Sequence, residues 1–344
     1  METKQHTLAG YILIMLFVVF LAWYFWASYR GHRVALQIQE RALTVHDDLF
    51  AIDGRHDGSR VAVGKFGLIL LTKDGGKSWQ EPPSGTTRAL SATSFADDQR
   101  GLIVGSGGTI LATSDGGNSW KAQNSGTKDQ LLGVQALSPT SAFVVGAFGT
   151  LLSTSDGGQS WVKQKLSWER LIPSIIKESG YLEPNLNAVH FVNAQIGWIV
   201  GEFGLVLQTK DGGQTWASQN HGADLPQLFA VVFRDERNGW AIGQDGILMK
   251  TIDGGKRWVR GDLGTKRNLY GISLDGHRGV IVGDGVVFRS HDGGSSWGRV
   301  ESVPEDRWLS GVTMKSREAI AVGQAGAIQM LDLDKGVQTG TGTP

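Results

Sequence analysis

The 344-residue chain contains no cysteine, which excludes disulfide staples, thiolate metal sites and cysteine nucleophiles. Proline is scarce, 8 against 49 glycines and 12 tryptophans, so glycine makes the turns while heavy aromatics remain to be buried. Lys and Arg total 33 and Asp and Glu total 33, so bulk charge implies no nucleic-acid or polyanion partner. There is no block of like charge and no low-complexity stretch. Catalytic signatures are missing too: no Gly-x-Ser-x-Gly elbow, no His-Glu-x-x-His, no P-loop, and no Rossmann glycine pattern after a strand. The histidines at 6, 32, 46, 56, 190, 221, 277 and 291 show no ligand spacing. The run Asp332-Leu-Asp334-Lys-Gly336 lacks the Glu that would close a calcium loop. Acid pairs such as Asp97–Asp98 and Glu305–Asp306 read as solvated loop charges. No catalytic residue, metal ligand or cofactor site follows from the sequence.

What the chain does have is a repeat. Residues 72–79 read Thr-Lys-Asp-Gly-Gly-Lys-Ser-Trp, and versions of this phrase return five more times, ending at Trp120, Trp161, Trp216, Trp258 and Trp297. Its aspartates are Asp74, Asp115, Asp156, Asp211, Asp253 and Asp292, at spacings of 41, 41, 55, 42 and 39. A period near 41 residues signals a repeat architecture. Asp-Gly-Gly is a turn signal, and an apolar run precedes it while Ser/Thr-Trp follows, so each copy reads as a hairpin between two strands. Upstream of each hairpin lie a short buried strand ending in Gly, such as residues 61–64 (Val-Ala-Val-Gly), and before it another strand, such as residues 49–52. Four short strands, a to d, in about 41 residues make one propeller blade. The six box aspartates and the Trp that ends each box (Trp79 for the first) are therefore assigned structural roles.

A seventh, worn unit occupies residues 308–331, with strands a, b and c but no box and no Trp. Seven units over residues 48–334 imply an all-β, seven-bladed propeller. Its last blade lacks an outer strand, and a ring must close or leave an edge exposed. Residues 33–46 are expected to supply the missing strand, although Val34, Ile38, Ala42 and Val45 also fit one face of a helix.

Residues 1–7 are polar. Residues 8–29 then run 22 positions without a charge, enough for a single transmembrane helix, and no small-x-small cleavage site follows. Trp23, Tyr24, Trp26 and Tyr29 resemble an interfacial aromatic belt at its end. Lys4 precedes the span and Arg30 and Arg33 follow it, so the positive-inside rule alone places the large domain in the cytoplasm. Residues 30–47 form a linker, and residues 335–344 are expected to be disordered.

The period breaks once, by an insertion at residues 166–184. Trp168, Leu171, Ile172, Ile175 and Ile176 are too apolar there for an ordinary solvated loop, which suits either partner contact or a short helix packed on its own ring. In a four-stranded blade the b–c and d–a connections share one face and the box turns lie on the other. Phe66, Phe148 and Phe203 recur in the Gly-x-x-Gly b–c links, with packing into the ring as the expected role and partner contact as the alternative. Arg88, Lys128, Arg170, Lys266, Arg267 and Arg307 sit in the d–a loops of that face, a composition suited to carboxylates and protein partners.

The box matches Ser/Thr-x-Asp-x-Gly-x-Ser/Thr-Trp at residues 72–79, 113–120, 154–161 and 209–216, and at 251–258 except for Arg257. It resembles the Asp-box, or bacterial neuraminidase repeat, which in that family is a fold element remote from the active site. The longer phrase Val-Gly-x-x-Gly-x-Ile-Leu-x-Thr-x-Asp-Gly-Gly-x-Ser-Trp is similar to the photosystem II stability/assembly factor family of cyanobacteria and chloroplasts. That resemblance covers about residues 48–334. It implies a non-catalytic propeller on the periplasmic or lumenal side of the inner membrane, binding or scaffolding a membrane-protein complex, with no cofactor. The family's basic patch is echoed by Arg88, Arg267 and Arg307. Cyanobacterial members resemble lipoproteins, whereas this chain carries an apolar run and no cysteine. The alternative is a glycan-binding Asp-box protein or a sialidase-like glycoside hydrolase.

Overall fold

The computed structural model describes residues 47–55, 57–172, 180, 183–219, 226–300, 306–315 and 318–332. The apolar run at 8–29, the linker to residue 46 and the tail from 335 lie outside the described residues. Among the described residues no helix is long and apolar enough to cross a membrane.

Seven antiparallel sheets form a ring, and each keeps its strands in sequence order. The innermost strands, a, are Leu49–Gly54, Leu90–Phe95, Leu131–Ala136, Leu186–Phe191, Leu228–Phe233, Leu269–Asp275 and Leu309–Lys315. Each packs beside the next, and the last returns to the first. Strands b are short apolar runs such as Gly197–Gly201, buried along their whole length because a blade covers each side. Strand d begins one residue after each box Trp, as in Lys121–Asn124 after Trp120. In blade 1 it shrinks to a single bridge between Leu71 and Gln80. Blade 7 has three strands among the described residues, ending with Ile328–Asp332.

The core is not central. It consists of seven apolar clusters, one between each neighbouring pair of blades. Leu49, Ile52 and Leu70 of blade 1 pack with Ile320 and Val322 of blade 7, so the ring closes through burial of the same kind as its other joints. The glycine that ends each strand b is required by close approach. A Cβ on Gly105 would lie 2.1 Å from the Ala89 carbonyl oxygen, and one on Gly201 would lie 2.2 Å from that of Asn185.

Every strand a also carries a bulge after its first residue, as between Leu49 and Ala51. The extra residues are Phe50, Ser91, Leu132, Asn187, Phe229, Tyr270 and Ser310. Several reach the next blade: Ser310 Oγ donates to the Leu49 carbonyl at 2.9 Å, and Asn187 Nδ2 to that of Leu228 at 2.7 Å.

The Asp-box turns are built alike. Asp115 Oδ1 accepts from Thr113 Oγ1 at 2.8 Å and from the Ser119 N–H at 3.0 Å, and Oδ2 accepts from Ser119 Oγ at 2.6 Å. Four of the six boxes are also tied to the preceding blade through a glycine carbonyl. Gln123 donates to Gly157 O at 3.0 Å, Gln208 to Gly254 O at 2.9 Å and Trp240 to Gly294 O at 2.8 Å, and Arg55 reaches Gly116 O.

Candidate partner-binding face

The b–c turns and d–a loops lie together on one face. Gly108 N donates to Asp129 O at 2.8 Å, Gly149 N to Pro184 O at 3.0 Å and Gly285 N to Arg307 O at 2.9 Å, each joining a b–c turn to a d–a loop. The box turns bond the a–b loops instead, as Gly116 N does with Gln99 O at 2.8 Å, and so occupy the opposite face.

In six blades two consecutive residues of the b–c turn adopt the left-handed backbone. The second is always Gly, and the first is Phe66, Phe148 and Phe203 in blades 1, 3 and 4, Gly107 in blade 2, and Asp245 and Ala325 in blades 5 and 7. The turn of blade 6 is one residue shorter and holds only Gly285 in this region. A bulky side chain at φ of 54–56° is a genuine outlier, costing on the order of 1–2 kcal/mol relative to ordinary backbone. Burial does not offset this. Phe66 is 66%, Phe148 60% and Phe203 41% exposed, which corrects the expectation that these rings pack into the ring. The turn fixes a backbone direction that points its side chain out of the face. The alternation of strands b and c stops at the glycine before it, so pattern reasoning cannot see this.

The cations are placed unevenly. Arg88, Lys128, Arg170, Lys266 and Arg307 are exposed and Arg267 is half-buried. Arg88 lies across the Gly107 turn and donates to its carbonyl, filling the space that a ring takes in blades 1, 3 and 4. Lys266 borders a polar depression of about 840 Å³ with Asp245, Arg260 and Asp262. The insertion opens with a one-turn helix, Trp168–Leu171. Trp168 covers Gly149, and Leu171 joins the cluster between blades 3 and 4. Ile172 is buried as well, so Leu171 and Ile172 serve the ring's own packing, while Arg170 stays at the surface. Ile175 and Ile176 lie outside the described residues.

Sequence reasoning missed an aromatic set at the inner edge of this face. Phe50 stacks on Trp308, with centroids 6.2 Å apart, and Phe229 meets Tyr270 at 5.4 Å. Three of these four are bulge residues, and the recurring position after the first Leu of strand a was the available signal.

Among the described residues no cluster of His, Asp and Glu could hold a metal ion. The box carboxylates are strongly acidic: hydroxyl and N–H donors hold Asp115, Asp156 and Asp211 at about 2, each led by the Ser or Thr four residues on. Such groups stay ionised and fully used by their turns.

A model of the photosynthesis system II assembly factor YCF48 family matches residues 83–171, 122–228, 174–267 and 224–332. The chain belongs to this family. Membership agrees with the box, the blade count and the uncommitted surface of the b–c face. Among solved structures, YCF48 from Cyanidioschyzon merolae is similar at 20% identity and a TM-score of 0.68, covering 85% of this chain and 97% of that one. A structure described as YCF48 bound to D1 peptide is also 20% identical, with a TM-score of 0.64, covering 85% and 93%. The GH74 enzyme of Niastella koreensis shares the fold at 14% identity and a TM-score of 0.65, over 86% of this chain and 53% of its own length. No curated protein sequence matches.

Proposed function

We propose that this family member is a non-catalytic, membrane-tethered propeller whose b–c face holds a peptide segment of a membrane protein while a complex is assembled. The observation that carries this reading is the exposed set Phe66, Phe148 and Phe203 in strained backbone. Strain kept beneath rings that stay exposed to solvent supports a surface used for contact. Family membership supports the assembly role, and the relative described as bound to D1 peptide supports a peptide partner drawn from a membrane protein. The inner aromatic pairs and Arg307 lie on the same face and suit an extended chain with a carboxylate. The tether is the apolar run at 8–29, with the ring on the periplasmic or lumenal side of the inner membrane.

Affinity isolation from gently solubilised membranes tests the proposal. The full chain is expected to bring down a membrane-protein partner. The triple substitution Phe66→Asn, Phe148→Asn and Phe203→Asn is expected to cut recovery about tenfold or more, the scale of losing aromatic anchors. Recovery of the bare chain alone, or turnover in a sialidase and glycosidase substrate panel, overturns it.

A further inference from the structure

Phe148 is held in its strained turn by the blade that follows it. Its N–H donates to Asn185 Oδ1 at 3.0 Å, and the N–H of Gly149, the second left-handed residue, donates to the Pro184 carbonyl at 3.0 Å. Asn185 stands immediately before Leu186, where the inner strand of blade 4 begins. The same residue also grips the turn of its own blade. Asn185 Nδ2 donates to Glu202 Oε1 at 2.9 Å and the Asn185 N–H to Oε2 at 2.8 Å, while the Glu202 N–H donates to the Asn185 carbonyl at 3.1 Å. Glu202 directly precedes Phe203. A half-buried amide and a half-buried carboxylate therefore tie together two neighbouring turns that both present rings.

The cap recurs where the residue before the first-strand Leu has a short side chain with an oxygen. Asn268 Oδ1 accepts from the Asp245 N–H at 3.1 Å, and Asp48 Oδ1 from the Ala325 N–H at 2.9 Å. Before blade 2 that residue is Ala89, which offers the Phe66 turn no side-chain acceptor. Phe66 follows Lys65 instead, and the Lys65 ammonium pairs with Asp48. Blade 1 thus holds its ring without the bridge that joins blades 3 and 4.

We propose that Asn185 and Glu202 are positioning residues of the partner face: their bridge sets Phe148 and Phe203 as one preformed pair of rings, and Phe66 is a separate contact. What the pair touches rests on the proposed function. Left-handed backbone is uphill for Phe, so a bond to its N–H favours the presenting conformation over the alternatives. Rings ordered beforehand cost a partner less conformational entropy on binding.

The donor and acceptor roles of the bridge can be exchanged, which provides the test. Asn185→Asp loses the donor to Glu202 and sets two carboxylates face to face. Adding Glu202→Gln returns every bond with the parent's net charge: the aspartate accepts from the Phe148 N–H and from the glutamine amide, whose oxygen accepts from the N–H of residue 185. With 4-fluorophenylalanine placed singly at 148, 203 or 66 of the full chain, in lipid nanodiscs free of other proteins, fluorine NMR reports each ring. The parent is expected to give one narrow resonance at each of 148 and 203. Asn185→Asp is expected to broaden or split both and to leave the signal at 66 unchanged, and the double variant to restore them. Asn185→Ala, which removes the acceptor without adding charge, is expected to disturb 148 in the same way. Partner capture is expected to fall several-fold in Asn185→Asp and to recover in the double variant. A bridge that only stabilises the fold would lower the melting temperature and leave the resonances alone. Unchanged signals at 148 in both single variants, a double variant that stays broadened, or capture indifferent to Asn185→Asp overturns the positioning role. A parent that captures nothing counts against the proposed function alone, because the resonances decide the positioning without a partner.

Discussion

At the scale of single residues, blade 5 supplies a natural control for the Asp-box. Its box has Arg257 where the other five have Ser or Thr, so Asp253 keeps the N–H donor from residue 257 at 3.0 Å and has no hydroxyl on Oδ2. Asp253 is still lowered, led by that N–H, whereas the lowering of Asp115 is led by the Ser119 hydroxyl. Arg257→Ser is expected to restore the bond and raise stability by about 0.5 kcal/mol, the exposed end of the range for a hydrogen bond, read as a higher denaturant midpoint. Two other groups sit on inner strands and bond the next blade's backbone, partly reached by solvent yet enclosed by protein. Desolvation raises Asp53 to about 6 and lowers His190 to about 4. Asp53 therefore contributes stability below about pH 4 that is lost as pH rises to about 6. His190, neutral in the fold, contributes stability above about pH 6.5 that is lost as pH falls toward 4. The two slopes oppose one another between pH 4 and 6. Asp53→Asn is expected to expose the histidine alone, so that the melting temperature of the variant falls with pH across that window while the parent changes little. A flat profile in the variant contradicts the assignment.

At the scale of the element, two glycine positions divide the b–c turn between what sequence reveals and what it hides. The strand b glycine was legible as Val-Gly because it recurs, and its reason is the carbonyl of the preceding loop. Gly201→Ala would drive a Cβ to 2.2 Å from Asn185 O and is expected to destabilise by about 2–3 kcal/mol, measured by chemical denaturation. The left-handed residue two positions later was not legible in its orientation. Phe148 in sequence looks like any apolar residue beside a core strand, and only the φ of 54° turns it outward. Asn tolerates that backbone, so Phe148→Asn is expected to leave the melting temperature unchanged or raise it slightly, by up to about 1 kcal/mol, while weakening partner capture. A clear loss of stability would instead show the ring to be packed. The insertion illustrates the reverse problem: its apolar residues were visible, but Leu171 and Ile172 turn inward. Composition cannot separate burial on the chain's own rim from burial by another protein.

At the scale of the whole molecule, six boxes together with seven strand b glycines and seven first-strand leucines made the ring legible, because each is demanded by a contact between blades. The proposed partner face was only half visible. Arg88, Lys128 and Arg307 were found by their loops, whereas Phe50, Phe229 and Tyr270 lay hidden in a bulge that shifts the strand's two-residue alternation by one. In the proposed reading the ring is a scaffold of blade-to-blade joints, with the box carboxylates used by their own turns and the b–c face serving recognition. Photo-crosslinking in native membranes tests that division most directly, with a reactive side chain at Phe148 or at Asn118 on the box face. The account predicts one discrete adduct with a membrane-complex subunit from position 148 and none from 118. Adducts from position 118 alone, or from neither, contradict it.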